Sequence, residues 1–210
     1  MSLRPLIFSL LFVISSPLLA LDRSQVADSA DAVTPLLNGQ TVPDVTLKSA
    51  QGEDVSLHAL VKQKPTVILF YRGGWCPYCN AQLAGFQKVE KDITGLGYQI
   101  LAISPDSPER LQEQKFDTDY QVTLLSDAGL EAIRAFGIAF YMDEETSAKY
   151  RDWKGNIFPT LLGDDRIVLP APAAYVLDTQ GVIQFQYVNP NYKVRVDPQL
   201  MYHAAKLALN

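Results

Sequence analysis

The residues best suited to chemistry are Cys76 and Cys79, the only two cysteines in the 210-residue chain, set in Gly73-Gly74-Trp75-Cys76-Pro77-Tyr78-Cys79-Asn80. Two thiols at this spacing fit a reversible dithiol/disulfide cycle. On a helix the second sulfur falls about one turn after the first, on the same face, so it can attack a mixed disulfide on its neighbour and release the reduced partner. A static bridge across so short a loop would stabilise little. Two competing readings are an inert buried couple and a non-enzymatic Cu(I)-binding or partner-binding module; two soft ligands suffice for Cu(I), whereas structural zinc wants four. The two histidines, His58 and His203, lie far from the cysteines in sequence, lack ligand spacing, and read as surface or packing residues.

Reactivity of the first sulfur depends on the elements around it. Val67 to Tyr71 is a continuous apolar run rich in β-branched and aromatic side chains, as in a strand buried on both faces. It runs into Gly73-Gly74 and then into a helix predicted to start at Pro77, whose missing N–H costs nothing in a first turn, and to carry Leu83, Phe86, Val89 and Ile93 on one face. A cysteine at that helix N-terminus meets unpaired N–H groups and the positive end of the dipole, which favour thiolate.

The wider pattern continues as a strand from Tyr98 to Ser104, a helix from Pro108 to about Tyr120, a strand from Val122 to Leu125 and a helix from Gly129 to Phe136. Such alternation predicts an α/β fold with parallel pairing and helices on both faces. Thr41 to Leu57 reads as an N-terminal hairpin turning at Gln51-Gly52. Residues 138–169 read as an insertion with a short helix, Tyr175 to Tyr187 as a hairpin turning at Thr179-Gln180-Gly181, and Pro198 to Leu209 as a closing amphipathic helix.

A formal net charge of -5 without a long single-sign run excludes an electrostatic footprint for nucleic acid. The first 20 residues carry one charge, Arg4, before an apolar stretch from Leu6 to Ala20, as in a secretory signal cleaved after Ala20; an uncleaved anchor is the alternative. Residues 21–40 then form a lead-in and 41–210 the domain. Export makes disulfide chemistry permissible, and it requires an electron donor able to work in an oxidising compartment.

The run Phe70-Tyr71-Arg72-Gly73-Gly74-Trp75-Cys76-Pro77-Tyr78-Cys79 resembles the peroxiredoxin-like branch of the alkyl hydroperoxide reductase/thiol-specific antioxidant family, within the thioredoxin superfamily. Ala102-Ile103-Ser104-Pro105-Asp106-Ser107, Leu124-Leu125-Ser126-Asp127 and Ala135-Phe136-Gly137-Ile138 resemble further segments of that family, so the likeness spans Pro43 to Leu209. It implies a thioredoxin-like fold with a central mixed sheet and, for function, thiol-dependent peroxide reduction without a cofactor.

Aligned on the family's Pro-x-x-x-Thr-x-x-Cys motif, Cys79 takes the place of the peroxide-attacking cysteine, Cys76 that of the threonine and Arg72 that of the proline. The family's later arginine falls on Pro172, where thioredoxins carry a cis-proline, and a cis bond there would leave the backbone of Ala171 open to an extended substrate segment. The thioredoxins' buried aspartate has no counterpart in Val67 to Tyr71, which leaves the proton acceptor open.

Trp75 is expected to shield the sulfurs, Tyr78 to influence the redox poise, and Arg72 to stabilise a thiolate or to be a solvated side chain. Two forms of the reaction follow. In peroxide reduction the aligned attacker is Cys79; in protein thiol–disulfide exchange Cys76 attacks and Cys79 resolves. Either needs a thioredoxin-like or membrane-linked donor.

Overall fold

The computed structural model describes residues 25–114 and 121–209. The signal reading of residues 1–20 lies outside them, as do residues 115–120 of the helix predicted to reach Tyr120; within the described residues that helix already stops at Gln112, where Gln114 N–H turns back tightly to Leu111 O.

The predicted hairpin forms β1 (Thr46–Ser49) and β2 (Asp54–Ser56), paired antiparallel and followed by the short α1 (Leu57–Val61). Ser56 opens α1 by accepting from the N–H of Ala59. The apolar run forms β3 (Thr66–Phe70), and the motif leads into α2 (Pro77–Phe86). The single helix expected from Pro77 to Ile93 is instead two, because Lys88 and Val89 donate back to Gly85 and Phe86 in tighter turns before α3 (Glu90–Gly95). The step still buries Val89 and Ile93 beside Phe86.

Next come β4 (Gln99–Ser104), α4 (Pro108–Gln112), β5 (Val122–Ser126) and α5 (Glu131–Ala135). The insertion consists of β6 (Ala139–Tyr141), α6 (Glu144–Lys154) and β7 (Val168–Pro170), with β6 and β7 forming their own antiparallel ribbon. Asp143 caps α6 by accepting from Thr146 N–H. The closing hairpin is β8 (Ala173–Leu177) with β9 (Ile183–Val188); Asp178 Oδ1 accepts from the N–H groups of Gln180 and Val182 to fix its turn, and α7 (Pro198–Leu207) ends the chain.

Among the described residues the central sheet runs β2-β1-β5-β4-β3-β8-β9, mixed as expected: β3, β4 and β5 are parallel, while the flanking pairs are antiparallel. Side-chain alternation along β3 divides the core. Ile68 and Phe70 pack with α1 and α5 on one face, whereas Val67, Leu69 and Tyr71 pack with α2, α3 and α7 on the other. The cysteines belong to the second face. The lead-in is tied to the body by N–H groups of Ala27, Thr34, Leu36 and Gly39 that donate to Ala139, Gly137, Phe136 and Ile183.

Candidate active site

Strand β3 ends beside β4, with Tyr71 N–H donating to Ile103 O, and the chain then turns sharply through Gly73 and Gly74. Gly73 has φ +134°, and a Cβ there would run into the indole of Trp75 and come within 2.8 Å of Asp106 Oδ1. Only glycine fits that space and conformation. Asp106, buried in the turn after β4, fixes the loop by accepting from Gly74 N–H at 2.8 Å. Burial raises its pKa.

Cys76 is the N-cap of α2 and Pro77 its first residue, as the sequence predicts. The Cys76 carbonyl already accepts from the N–H groups of Cys79 and Asn80. Both thiols are free and buried, and they hydrogen-bond each other. The Cys79 thiol as donor, then the Cys79 N–H and the guanidinium groups of Arg195 and Arg72, outweigh burial and lower the pKa of Cys76 to about 6. Cys79 moves the other way. Complete burial raises its pKa first, and the neighbouring Cys76 adds to the rise. Both shifts favour a thiolate on Cys76 hydrogen-bonded by a thiol on Cys79 over the reverse.

Arg72 is not solvated. It is 3% exposed, its Nη2 reaches Met142 Sδ at 3.5 Å, and its guanidinium carbon stands 5.4, 5.8 and 4.7 Å from the ring centres of Trp75, Tyr150 and Tyr192. Its Nε has no hydrogen-bond partner and, among the described residues, no carboxylate pairs with it. Arg72 thus keeps a fixed charge beside the sulfurs, partly offset by aromatic faces.

Trp75 is half-buried and packs edge-on against Tyr150 and Trp153 of α6 and against Phe158, which gives the insertion a role: it walls the motif with aromatic rings. Tyr78 is 41% exposed and meets Tyr192 edge-on. A cleft of about 730 Å³ opens beside the motif on Gly74, Trp75, Asn80 and Asp106, and neither sulfur lines it.

The expectation of a cis bond at Pro172 is overturned, since no cis peptide occurs among the described residues. Nor is the backbone there open to a substrate. Ala171 N–H donates to Ile138 O, and Pro172 O accepts from Asn189 N–H, so the chain's own segments fill the edge a substrate peptide would use.

Sequence reasoning missed Arg195. It lies between β9 and α7, over a hundred residues from the cysteines, yet its Nη2 is 3.3 Å from Cys79 Sγ and 3.9 Å from Cys76 Sγ, and its Nη1 donates to Gln82 Oε1 at 3.3 Å. The alignment marks position 172 for an arginine and says nothing of 195. An arginine in a loop carries no spacing signal that would have revealed it.

The AhpC/TSA family model matches residues 38–186, most of the chain and both cysteines. The chain belongs to the AhpC/TSA family. Among curated relatives it is 31% identical to the chloroplastic peroxiredoxin Q of Sedum lineare over 153 residues, 72% of this chain and 68% of that protein. It is 29% identical to the peroxiredoxin Q of Gentiana triflora, over 87% of this chain and 73% of that one. The fold is also that of solved structures. Peroxidoxin BcpB from Mycobacterium tuberculosis superposes with a TM-score of 0.62 at 20% identity, covering 82% of this chain and 97% of the other. Reduced Prx3 from Vibrio vulnificus, in complex with hydrogen peroxide, gives 0.65 at 16% identity, covering 81% and 96%.

Proposed function

We propose that the chain reduces peroxides through its own dithiol, with Cys76 as the attacking sulfur and Cys79 as the resolving one. Membership of the AhpC/TSA family and the peroxiredoxin relatives support the reaction. The observation that supports the order is the charge on the sulfurs: Cys76 sits at the helix N-terminus with its pKa lowered to about 6, and Cys79 stays a thiol. The alignment on the threonine motif favours the reverse order; the place of Cys76 at the helix N-terminus and the direction of the two shifts support Cys76.

In the first step the Cys76 thiolate attacks the distal oxygen of RO–OH, the O–O bond breaks, and the product is Cys76 sulfenic acid with RO⁻, which takes a proton from solvent. In the second step Cys79 attacks the Cys76 sulfur, an S–S bond forms, and the hydroxyl leaves as water. A dithiol donor then reduces the disulfide by exchange. We assign a thioredoxin-like or membrane-linked donor, and the N-terminal stretch from Leu6 to Ala20 supports export, into the periplasm if the source is bacterial. Among the described residues no helix is long and apolar enough to cross a membrane.

Two features weigh against protein disulfide exchange, namely the occupied edge at Ala171 and Pro172 and the burial of both sulfurs. The two nearby guanidinium groups weigh against Cu(I), because a cation there must approach two fixed positive charges.

The test is stopped-flow tryptophan fluorescence of the reduced, metal-free protein mixed with hydrogen peroxide, alongside Cys76→Ser and Cys79→Ser. The expected result is a rate far above that of a free thiol, lost in Cys76→Ser. In Cys79→Ser the rate should persist while a sulfenic acid accumulates that dimedone can trap. Loss in Cys79→Ser alone would reverse the order. A rate no faster than a free thiol would end the peroxidase reading.

A further inference from the structure

The charge at this site must move during the cycle. Before reaction it lies on Cys76; when the disulfide closes, Cys79 has to give up its proton while attacking. That second event is the harder one to accommodate, because Cys79 is fully buried and its pKa is raised. Among the described residues no carboxylate or histidine hydrogen-bonds either sulfur, and the one cationic side chain that does is Arg195.

The placement of Arg195 suits this second event better than the first. Its Nη2 is closer to Cys79 Sγ, at 3.3 Å, than to Cys76 Sγ, at 3.9 Å. Its Nη1 is held by Oε1 of Gln82, a buried residue on the same helix face three positions after Cys79, so the guanidinium is aimed by the helix that carries the sulfurs. Its Nε is buried without a partner, and among the described residues no carboxylate neutralises it. A desolvated guanidinium is costly to keep unless an anion forms beside it. The anions this site offers are the two sulfurs, in turn.

We propose that Arg195 is a catalytic residue of the resolving step, receiving the negative charge that develops on Cys79 as the disulfide closes. The proposal rests on Cys76 attacking first. In the step, Cys79 S–H and Cys76 S–OH become Cys76 S–S Cys79 and water. The S–H and S–O bonds break, the S–S bond forms, the Cys79 proton leaves with the hydroxyl, the Cys79 sulfur is oxidised and the Cys76 sulfur reduced. Arg195 exchanges no proton. It lowers the cost of the thiolate-like Cys79 by a charge-assisted hydrogen bond. Gln82 is its positioning residue.

The experiment separates the two steps in one trace. Peroxide attack gives a fast fluorescence phase that depends on peroxide concentration, and disulfide closure gives a slower phase that does not. Arg195→Gln keeps a hydrogen-bonding side chain and removes the charge. It should slow the second phase by about 10- to 100-fold, the worth of one hydrogen bond to a charged group, and change the first only a few-fold, because Arg72 and the helix N-terminus remain.

Sulfenic acid should persist, as dimedone adducts read by mass spectrometry, and Arg195→Lys should recover part of the second phase. Gln82→Leu should slow the same phase by a smaller factor. An unchanged second phase in Arg195→Gln overturns the proposal, as does a first phase slowed as much as the second. If Cys79→Ser instead of Cys76→Ser abolishes the first phase, the order of attack fails and this proposal with it. A second phase indifferent to Arg195, with that order intact, removes this proposal alone.

Discussion

The loop from Gly73 to Cys79 and the segment from Asn189 to Asp197 meet at the same two sulfurs, and they reach them by different means. The first is local. One buried strand, two glycines and a helix cap put Cys76 at the end of α2 through contacts between close neighbours and the Asp106 carboxylate. The second is remote: it follows the last strand of the sheet in the chain and contributes Tyr192 over Arg72 and Arg195 over the cysteines. The local region makes a thiolate; the remote one supplies further charge and closes over it. The difference teaches that generating the nucleophile and finishing its cycle can depend on parts of the chain that carry unlike signals.

Breaking the local region should have the largest effect. Gly73→Ala would force an alanine to φ +134° and drive its Cβ into Trp75 and Asp106. Strained backbone and overpacking together predict a loss of about 2–5 kcal/mol, read as a lowered denaturant midpoint. The peroxide reaction should fall with it, because Gly74 N–H and its Asp106 partner must shift. A midpoint within error of the wild type would mean that the loop is not fixed by this turn.

An intermediate effect is expected at Arg72, where the two regions touch. Arg72→Met removes a buried cation that lacks a carboxylate partner, so the reduced protein should be no less stable, or more stable by about 1–3 kcal/mol. The chemistry should suffer. In the wild type the rate of peroxide attack is expected to follow the thiolate fraction of Cys76: flat above pH 7, half-maximal near pH 6 and falling roughly tenfold per pH unit below it, because the protonated thiol does not attack. Losing Arg72 raises that pKa, so the midpoint of the profile should move upward. An unmoved midpoint would place the whole effect on the Cys79 hydrogen bonds and Arg195.

These regions also mark what the sequence could disclose. The strand Val67 to Tyr71, the Gly-Gly turn, Pro77 at the helix start and both hairpins were legible because each depends on near neighbours and on patterns of period two or on turn residues. The break after Phe86 was not, since the apolar spacing from Leu83 to Ile93 stays helical through it. Pro172 misled for a related reason. Its position matches a thioredoxin feature, but whether Ala171 is free depends on Ile138, in an insertion whose path has no sequence signature. Arg72 was visible as a residue but not as a buried one, because Met142, Tyr150 and Tyr192 reach it from three separate segments. Arg195 gave no signal because only tertiary structure brings it to the sulfurs.

The smallest expected effect tests the closure itself. Tyr192 lies 4.7 Å from the Arg72 guanidinium and edge-on to Tyr78 at 5.6 Å, so one ring joins the remote segment to both sides of the motif. A cation–π contact of this kind is worth about 0.5–2 kcal/mol. Tyr192→Leu keeps apolar bulk and removes the ring face. Global stability should change little, while amide exchange at Val194, whose N–H donates to Asn191 O, should accelerate in the reduced protein. The fast fluorescence phase should be nearly unchanged and the slow one modestly reduced, because Arg195 sits three residues from Tyr192 and is steadied by it. Unchanged exchange at Val194 would show that Arg195, held by Gln82 and the sulfurs, and Val196, buried in the core with the cysteines, hold the segment without Tyr192.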